Sequence, residues 1–360
     1  MNSFTLFSEP KKAFSEVFDK LKKAKHCIYM EAYELKDDHI GRELIRILAR
    51  KSLEIKVILI VDDYGFESPS KTTARLLRDS SIEFIRFNPV WSALREKHLS
   101  KMARFVLRSH RKLTIIDERI AYTGGTNYTA QEIRWRDIFV SIKGPLVADL
   151  TRAFFEMRRM AKKKFILNMP VNKKLTKRFQ GTDILIRQVP HTFHRPLRKE
   201  LSRLFAQAKD EICITTPYFV PTVAMTYMLF RAMRKGVKVK ILIPYKSDQY
   251  WVDIVSDFFA YLMFKKKAQV FLQKRMSHAK YIIVDRSVCT FGSANFDYQT
   301  FHNNHELNII TKEQDIVQEL HDLFREDCEK SLVFSKKTRR NRTVLRKLFE
   351  KILHPFKKYF

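Results

Sequence analysis

Two stretches decide how this chain is read: SHRKLTIIDERIAYTGGTN (Ser109–Asn127) and SHAKYIIVDRSVCTFGSAN (Ser277–Asn295). Each reads His-x-Lys-x4-Asp, with a Gly seven and an Asn ten residues after the Asp. The first copy holds His110, Lys112, Asp117, Gly124 and Asn127. The second holds His278, Lys280, Asp285, Gly292 and Asn295, each 168 residues further on. Gly is scarce, at 8 residues, yet Gly124, Gly125 and Gly292 all fall in these two stretches. One such motif is a modest signal. Two copies sharing the downstream Gly and Asn point to duplication.

The repeat extends outward. Ile28–Tyr33, a helix and VILIVD (Val57–Asp62) parallel Ile212–Tyr218, a helix and VKILIP (Val239–Pro244). Strands are expected at His26–Tyr33, Ile55–Val61, Leu113–Asp117, Ile138–Ile142, Ile212–Thr216, Val237–Ile243, Tyr281–Val284 and Leu307–Ile310. Helices are expected near Ile40–Lys51, Leu146–Lys164, Arg195–Ala208, Val223–Arg234, Asp248–Phe264 and Glu313–Asp327. Alternation of this kind predicts an α/β fold. We divide the chain into a first half (1–165), a basic linker (166–182), a second half (183–330) and a tail (331–360), with a site where the two copies face each other.

The 360 residues carry 69 Lys+Arg against 39 Asp+Glu, a net charge of +30, and 45% are hydrophobic. That apolar share excludes a disordered chain. The charge predicts polyanionic partners: nucleic acid, an anionic membrane surface or phosphate-bearing substrates. The four Cys (27, 213, 289 and 328) have no metal-ligand spacing, so reduced thiols and no metal site are expected. No signal peptide and no spanning segment is expected, since the most apolar stretch, Trp251–Phe264, is broken by Asp253, Ser256 and Asp257.

On an extended segment residues i and i+2 share a face, so His110 pairs with Lys112 and His278 with Lys280. Asp117 and Asp285 fall on the other face and are assigned a supporting role within the candidate catalytic set. Gly124 and Gly292 are expected to allow a tight turn that returns Asn127 and Asn295 beside the His/Lys face, with Ser293 in the same turn. Two His, two Lys and two Asn converging on one point suit a phosphodiester. The Lys and Asn would stabilise charge on the non-bridging oxygens. One imidazole would attack phosphorus and the other would move protons. No cofactor is required. Asp137, 27 residues after His110, and Glu306, 28 after His278, are the candidate carboxylates that orient the imidazoles.

At these residues the chain resembles the phospholipase D superfamily, whose signature is two HxKx4D motifs. WRDIFVSIKGPLVADL, TPYFVP, HAKYIIVD and GSANFDYQTF…NHELN resemble bacterial cardiolipin synthases, over about residues 12–330. The resemblance implies two α/β/α-sandwich halves related by a pseudo-twofold axis, with the active site between them. It also implies a phosphohistidine intermediate, His110 as nucleophile, His278 as acid/base, and phosphatidylglycerol as substrate. The repeat's own symmetry does not choose between the two His. Many cardiolipin synthases begin with membrane-spanning segments; this chain resembles the shorter forms.

The tail, KKTRRNRTVLRKLFEKILHPFKKYF (336–360), has an apolar helical stripe (Val344, Leu345, Leu348, Phe349, Ile352, Leu353, Phe356) among Lys and Arg. It fits either a helix lying in an anionic membrane interface or one docked on its own domain. A peripheral location on the cytoplasmic face of the cell membrane is expected. The basic stretch from Trp91 to Arg108 reads as a further helix that covers the pocket or touches lipid. Competing functions are a phospholipase D that hydrolyses lipid to phosphatidic acid, a nuclease, and a non-catalytic binder. The chain lacks an aromatic–basic platform for nucleic acid, and both motifs are intact.

Overall fold

Buried parallel strands need near-continuous apolar runs, and this chain supplies them twice. The computed structural model describes residues 1–89, 107–162, 177–180 (backbone only), 183–190 and 195–335. The basic stretch 91–106, most of the expected linker and the tail at 336–360 lie outside the described residues.

The first half runs β1 (Ser3–Phe7), α1 (Pro10–Lys22), β2 (Cys27–Ala32), α2 (His39–Lys51), β3 (Lys56–Asp62), α3 (Lys71–Asp79), β4 (Glu83–Phe87), β5 (Arg108–Ser109), β6 (Leu113–Ile116), β7 (Ile120–Gly124), β8 (Phe139–Lys143) and α4 (Leu146–Ala161). The second runs β9 (Lys177–Gln180), β10 (Asp183–Gln188), α5 (Pro196–Gln207), β11 (Glu211–Thr215), β12 (Phe219–Val220), α6 (Val223–Arg234), β13 (Lys238–Pro244), α7 (Tyr250–Lys265), β14 (Gln269–Gln273), β15 (Tyr281–Val284), β16 (Val288–Gly292), β17 (Phe296–Asp297), α8 (Tyr298–His302), β18 (Asn304–Thr311), α9 (Gln314–Glu329) and β19 (Leu332–Val333).

The first sheet has the order β1-β8-β7-β6-β2-β3-β4. The second contains β10-β18-β16-β15-β11-β13-β14, the same seven positions, extended by β9 and β19 at its edges. In each, the two crossover strands run parallel (β2 with β3, β11 with β13), while the motif strand pairs antiparallel to the first of them. The helices that cross between those strands begin at side-chain caps: Asp38 accepts from the amides of Ile40 and Gly41, and Thr222 from Met225. Two expected boundaries shift. Lys177–Gln180, assigned to the linker, forms edge strand β9, and Leu332–Val333, assigned to the tail, forms edge strand β19.

The halves share a core. Tyr29, Leu150, Phe154 and Met157 from the first half pack in one cluster with Cys213, Tyr281, Phe291, Leu307, Leu320 and Phe324 from the second, so α4 and α9 lie between the sheets. At about 1.5–3 kcal/mol for each fully buried large apolar side chain, this shared cluster fixes the halves against each other. Polar ties add direction. Across the halves Arg136 donates to Asp327 (3.1 Å), Arg275 to Glu9 (2.8 Å) and Asn2 to Asp183 (2.6 Å). No helix among the described residues is long and apolar enough to cross a membrane.

Candidate active site

Each motif enters the site through strand pairing with the other half. β5 pairs in parallel with β18, matching Arg108 to Asn304 and Ser109 to His305, and the amide of His110 donates to the carbonyl of His305 (3.0 Å). On the other side Arg136 bridges to Ser277, and the amide of His278 donates to the carbonyl of Arg136 (2.7 Å). The residue after His305 is Glu306, and the residue after Arg136 is Asp137. The register therefore delivers each carboxylate to the histidine of the opposite half.

That is the observed geometry. Nδ1 of His110 lies 3.2 Å from Oε2 of Glu306, and Nδ1 of His278 lies 3.1 Å from Oδ2 of Asp137. Distance along the chain had set Asp137 with His110 and Glu306 with His278; the structure crosses the pairs. Both imidazoles and both carboxylates are buried.

Lys112 and Lys280 are also buried, each folded back on the carbonyl of its own motif histidine (2.9 and 2.5 Å). Lys112 lies over the Tyr33 ring, 5.0 Å from its centroid. Burial pushes both ammonium groups below the usual lysine range, and for Lys112 the positive charge of Lys280 adds to it. Burial, then the neighbouring lysine, also lowers both imidazoles, His110 to about 4. Each histidine feels the lysine of the other half as well as its own, so the two motifs converge on one electropositive point.

Asp117 and Asp285 lie outside this point. Both sit at positive φ (55° and 53°) as the first residue of the three-residue loops of the β6–β7 and β15–β16 hairpins, a conformation Asp tolerates better than most residues. Asp117 accepts from the amides of Lys25, His26 and Cys27 (2.7–3.1 Å), and Asp285 from those of Lys209, Asp210 and Glu211 (2.8–3.0 Å). They fasten the hairpin to the start of the neighbouring parallel strand.

The glycines differ from expectation in their reason. Gly124 and Gly292 end β7 and β16, and an added Cβ would stand 2.2 Å from the carbonyl oxygens of Ile138 and Leu307. Close approach of the next strand, rather than a tight turn, requires Gly there. The asparagines also carry structural bonds. Asn127 donates its amide hydrogen to Glu132 Oε2 (2.7 Å) and its side-chain Nδ2 to Glu132 Oε1 (2.6 Å). The Asn295 amide donates to the Thr300 hydroxyl (3.1 Å).

Around each imidazole the fittings diverge. Glu306 accepts from Ser293 (2.5 Å), Thr300 (3.2 Å) and Asn304 (3.1 Å). Burial raises its pKa, but His110, the Ser293 bond and Lys112 outweigh that and hold the carboxyl below its ordinary value. Asp137 instead has a second carboxylate beside it: Glu132 Oε2 is 3.9 Å from His278 Nδ1. Burial, then the charge of Asp137, pushes the Glu132 carboxyl up. Glu132, Asp137 and His278 stand within 4.8 Å of one another, close enough to share a cation. The two lysines at the same point suit an anion instead. A second cluster, Glu211, Cys213 and His321, has its carboxylate already taken by Lys240 and Arg286, both at 2.7 Å.

The motifs alone did not reveal Glu132, Tyr33 or Trp135. Tyr33 packs edge-on to His110 (4.8 Å between centroids), Tyr218 to His278 (6.5 Å), and Trp135 lies 5.6 Å from His278. Tyr33 was within reach, since it follows β2 as Tyr218 follows the equivalent strand β11. Glu132 was accessible as the residue five after Asn127, where the second copy has Thr300.

Comparison with known proteins extends the geometry. The family model described as cardiolipin synthase, PLD-like domain, matches residues 17–159 and 201–328. The chain is similar to the cardiolipin synthase of Clostridium perfringens, at 29% identity over 98% of this chain and 76% of that one. It is similar to cardiolipin synthase 1 of Bacillus cereus, at 26% over 97% and 70%. Among solved structures, phosphatidylserine synthase of Haemophilus influenzae superposes with a TM-score of 0.75 at 13% identity, covering 99% of this chain and 94% of that one. Polyphosphate kinase of Porphyromonas gingivalis superposes with 0.63, also at 13%, covering 100% and 53%. At such identities these two likenesses speak for the fold alone.

Proposed function

The chain belongs to the cardiolipin synthase family of phospholipase D-like enzymes, and from that premise we propose that it transfers a phosphatidyl group from phosphatidylglycerol to an alcohol through a phosphohistidine. The observation that carries this is the pair of crossed Nδ1–carboxylate contacts. With both Nδ1 atoms engaged, both Nε2 atoms are left for chemistry, one to attack and one to move protons.

In the first half-reaction Nε2 of His110 attacks phosphorus. The bond from phosphorus to the headgroup oxygen breaks, and that oxygen takes a proton from Nε2 of the His278 imidazolium. In the second half-reaction neutral His278 accepts the proton of an incoming hydroxyl. Its oxygen attacks phosphorus, and the bond to His110 breaks. Lys112 and Lys280 neutralise charge on the non-bridging oxygens in both steps. The difference between the pockets supports this division of labour. Glu306, held ionised, orients a neutral imidazole that donates electrons. At His278 the Asp137 contact opposes the lowering by burial and the lysines, and so favours the imidazolium that must donate a proton.

We place the enzyme at the surface of an anionic membrane, on its cytoplasmic face, with the basic tail at 336–360 as one contact. The net charge of +30 supports an anionic partner. A second phosphatidylglycerol is the acceptor. The test incubates purified protein with phosphatidylglycerol vesicles and resolves the products by mass spectrometry. Cardiolipin and glycerol are expected. Phosphatidic acid alone would make water the acceptor and overturn the transfer reading.

A further inference from the structure

Three exposed aromatic side chains among the described residues have no part in the reaction. Tyr64, Tyr250 and Trp251 are 66%, 59% and 62% exposed, among the most exposed large apolar side chains of the described residues. Exposed apolar rings gathered at one end of a fold mark an interaction site, whereas rings scattered singly would not.

Their placement is not scattered. Tyr64 follows β3 by two residues, and Tyr250 and Trp251 open α7, directly after the loop that follows β13. Those strands are equivalents in the two sheets, and both end at the site. Asp62, the last residue of β3, accepts from the amide of Ser109 (2.7 Å), next to His110, and from the amide of Tyr64 (3.0 Å). In the second half, Tyr218, which packs against His278, donates to Asp248 (2.7 Å), and Asp248 accepts from Gln249, the residue before α7 (3.2 Å). Tyr250 and Trp251 then pack edge-on at 5.5 Å. Each half thus ties its exposed rings through one carboxylate to a residue next to, or packed on, its own motif histidine: Asp62 in the first, Asp248 in the second. Exposed Lys246 lies four residues before Tyr250.

Tyr and Trp are amphipathic: a ring that prefers hydrocarbon and a polar edge that prefers water, which suits the boundary of a bilayer. The histidines are buried, so a diacyl lipid must present its phosphodiester to them, and every methylene drawn out of the bilayer opposes that. A mouth pressed against the bilayer shortens the withdrawal. Resting on the reading of the substrate as a membrane phospholipid, we propose that the face bearing Tyr64, Tyr250 and Trp251 beds into the interface of an anionic bilayer, so that lipid enters the site directly from the membrane.

The test is a depth measurement. Tryptophan emission is recorded on phosphatidylglycerol vesicles with and without bromine on the acyl chains, for the full chain and for Trp251→Phe. Bromine quenching should be about twofold larger in the parent chain, because Trp251 reaches the acyl boundary. Equal quenching in both would overturn the proposal. As a second measurement, the combined variant Tyr64→Ser, Tyr250→Ser and Trp251→Ser is sedimented with the same vesicles at high salt, where basic contacts are screened. Binding should weaken on the order of tenfold, while Leu53→Ser, exposed on a different element, binds as the parent does. Undiminished binding of the combined variant would also overturn the proposal. Turnover is not read in either measurement, so an inactive preparation would sink the reaction proposed above and leave this test intact.

Discussion

The pockets of His110 and His278 are built from equivalent positions, yet they are different electrostatic devices. At the position after the motif glycine, the His110 pocket has Ser293, whose hydroxyl donates to Glu306. The equivalent Gly125 in the His278 pocket has no room for a side chain: an added Cβ would stand 2.3 Å from Asp137 Oδ1. Five residues after the motif asparagine, one copy has Thr300, a neutral donor to Glu306, and the other has Glu132, a second acid beside Asp137. One pocket surrounds a single carboxylate with donors, which holds it below its ordinary pKa. The other crowds two carboxylates together, which pushes the Glu132 carboxyl up. The two copies are like sites that differ at a handful of positions, and in the proposed reaction one serves attack and the other proton transfer.

The largest expected effect separates those roles. His110→Ala and His278→Ala should each lower turnover of phosphatidylglycerol by roughly 10⁴-fold or more. With a p-nitrophenyl phosphodiester, whose leaving group needs no proton, His278→Ala should recover on the order of 10²-fold of the loss and His110→Ala none. Steady-state rates on both substrates check this; equal recovery would erase the functional difference between the pockets.

Next comes an exchange at the first divergent position. Gly125→Ser should displace Asp137 and with it His278, reducing kcat by about 10²-fold. Ser293→Gly removes only one of three donors to Glu306, so a loss of about tenfold is expected from the same assay. The reverse order would mean that the two pockets tolerate change alike.

The smallest effect concerns stability. The Glu132 carboxyl lies above its ordinary 4.5 in the folded chain. Between that ordinary value and its raised one, the unfolded chain has released a proton that the folded chain keeps. Wild-type stability therefore falls through this window by about 1.4 kcal/mol per pH unit. Glu132→Gln has no such term. Whatever the offset between the two proteins, the melting temperature of the variant should gain on the parent by a few degrees as pH rises through the window. Parallel melting curves across pH would show that Glu132 carries no extra proton.

How legible was this in the sequence? The paired α/β halves were, because the buried parallel strands have apolar runs and the repeat preserves them: Val57–Asp62 and Val239–Pro244 lie in β3 and β13, and the helix expected at Val223–Arg234 runs over those residues. Edge elements were not. β1 (SFTLF) and β4 (EFIRF) are short and partly exposed, with polar residues that blur their period. Within the site, the extended-chain spacing separates His and Lys from Asp, and the structure has Asp117 and Asp285 facing backbone amides away from the imidazoles. The crossing of Asp137 and Glu306 could not be read from spacing, since it depends on which strands meet between halves: β5 on β18, and Arg136 on Ser277. The reason for Gly124 and Gly292 was hidden in the same way, because a neighbouring strand's approach leaves no local sequence signal.

The most direct test of the account is the location of the covalent intermediate. His278→Ala protein is incubated with vesicles of a phosphatidyl p-nitrophenyl ester, whose leaving group needs no proton, quenched in mildly alkaline denaturant to preserve phosphoramidates, and mapped by peptide mass spectrometry. A phosphatidyl group on His110 is expected, and none on His278 when His110→Ala is treated in the same way. A phosphatidyl group on His278 in the His110→Ala protein, with His110 unmodified in its counterpart, would contradict the account and exchange the roles of the two pockets.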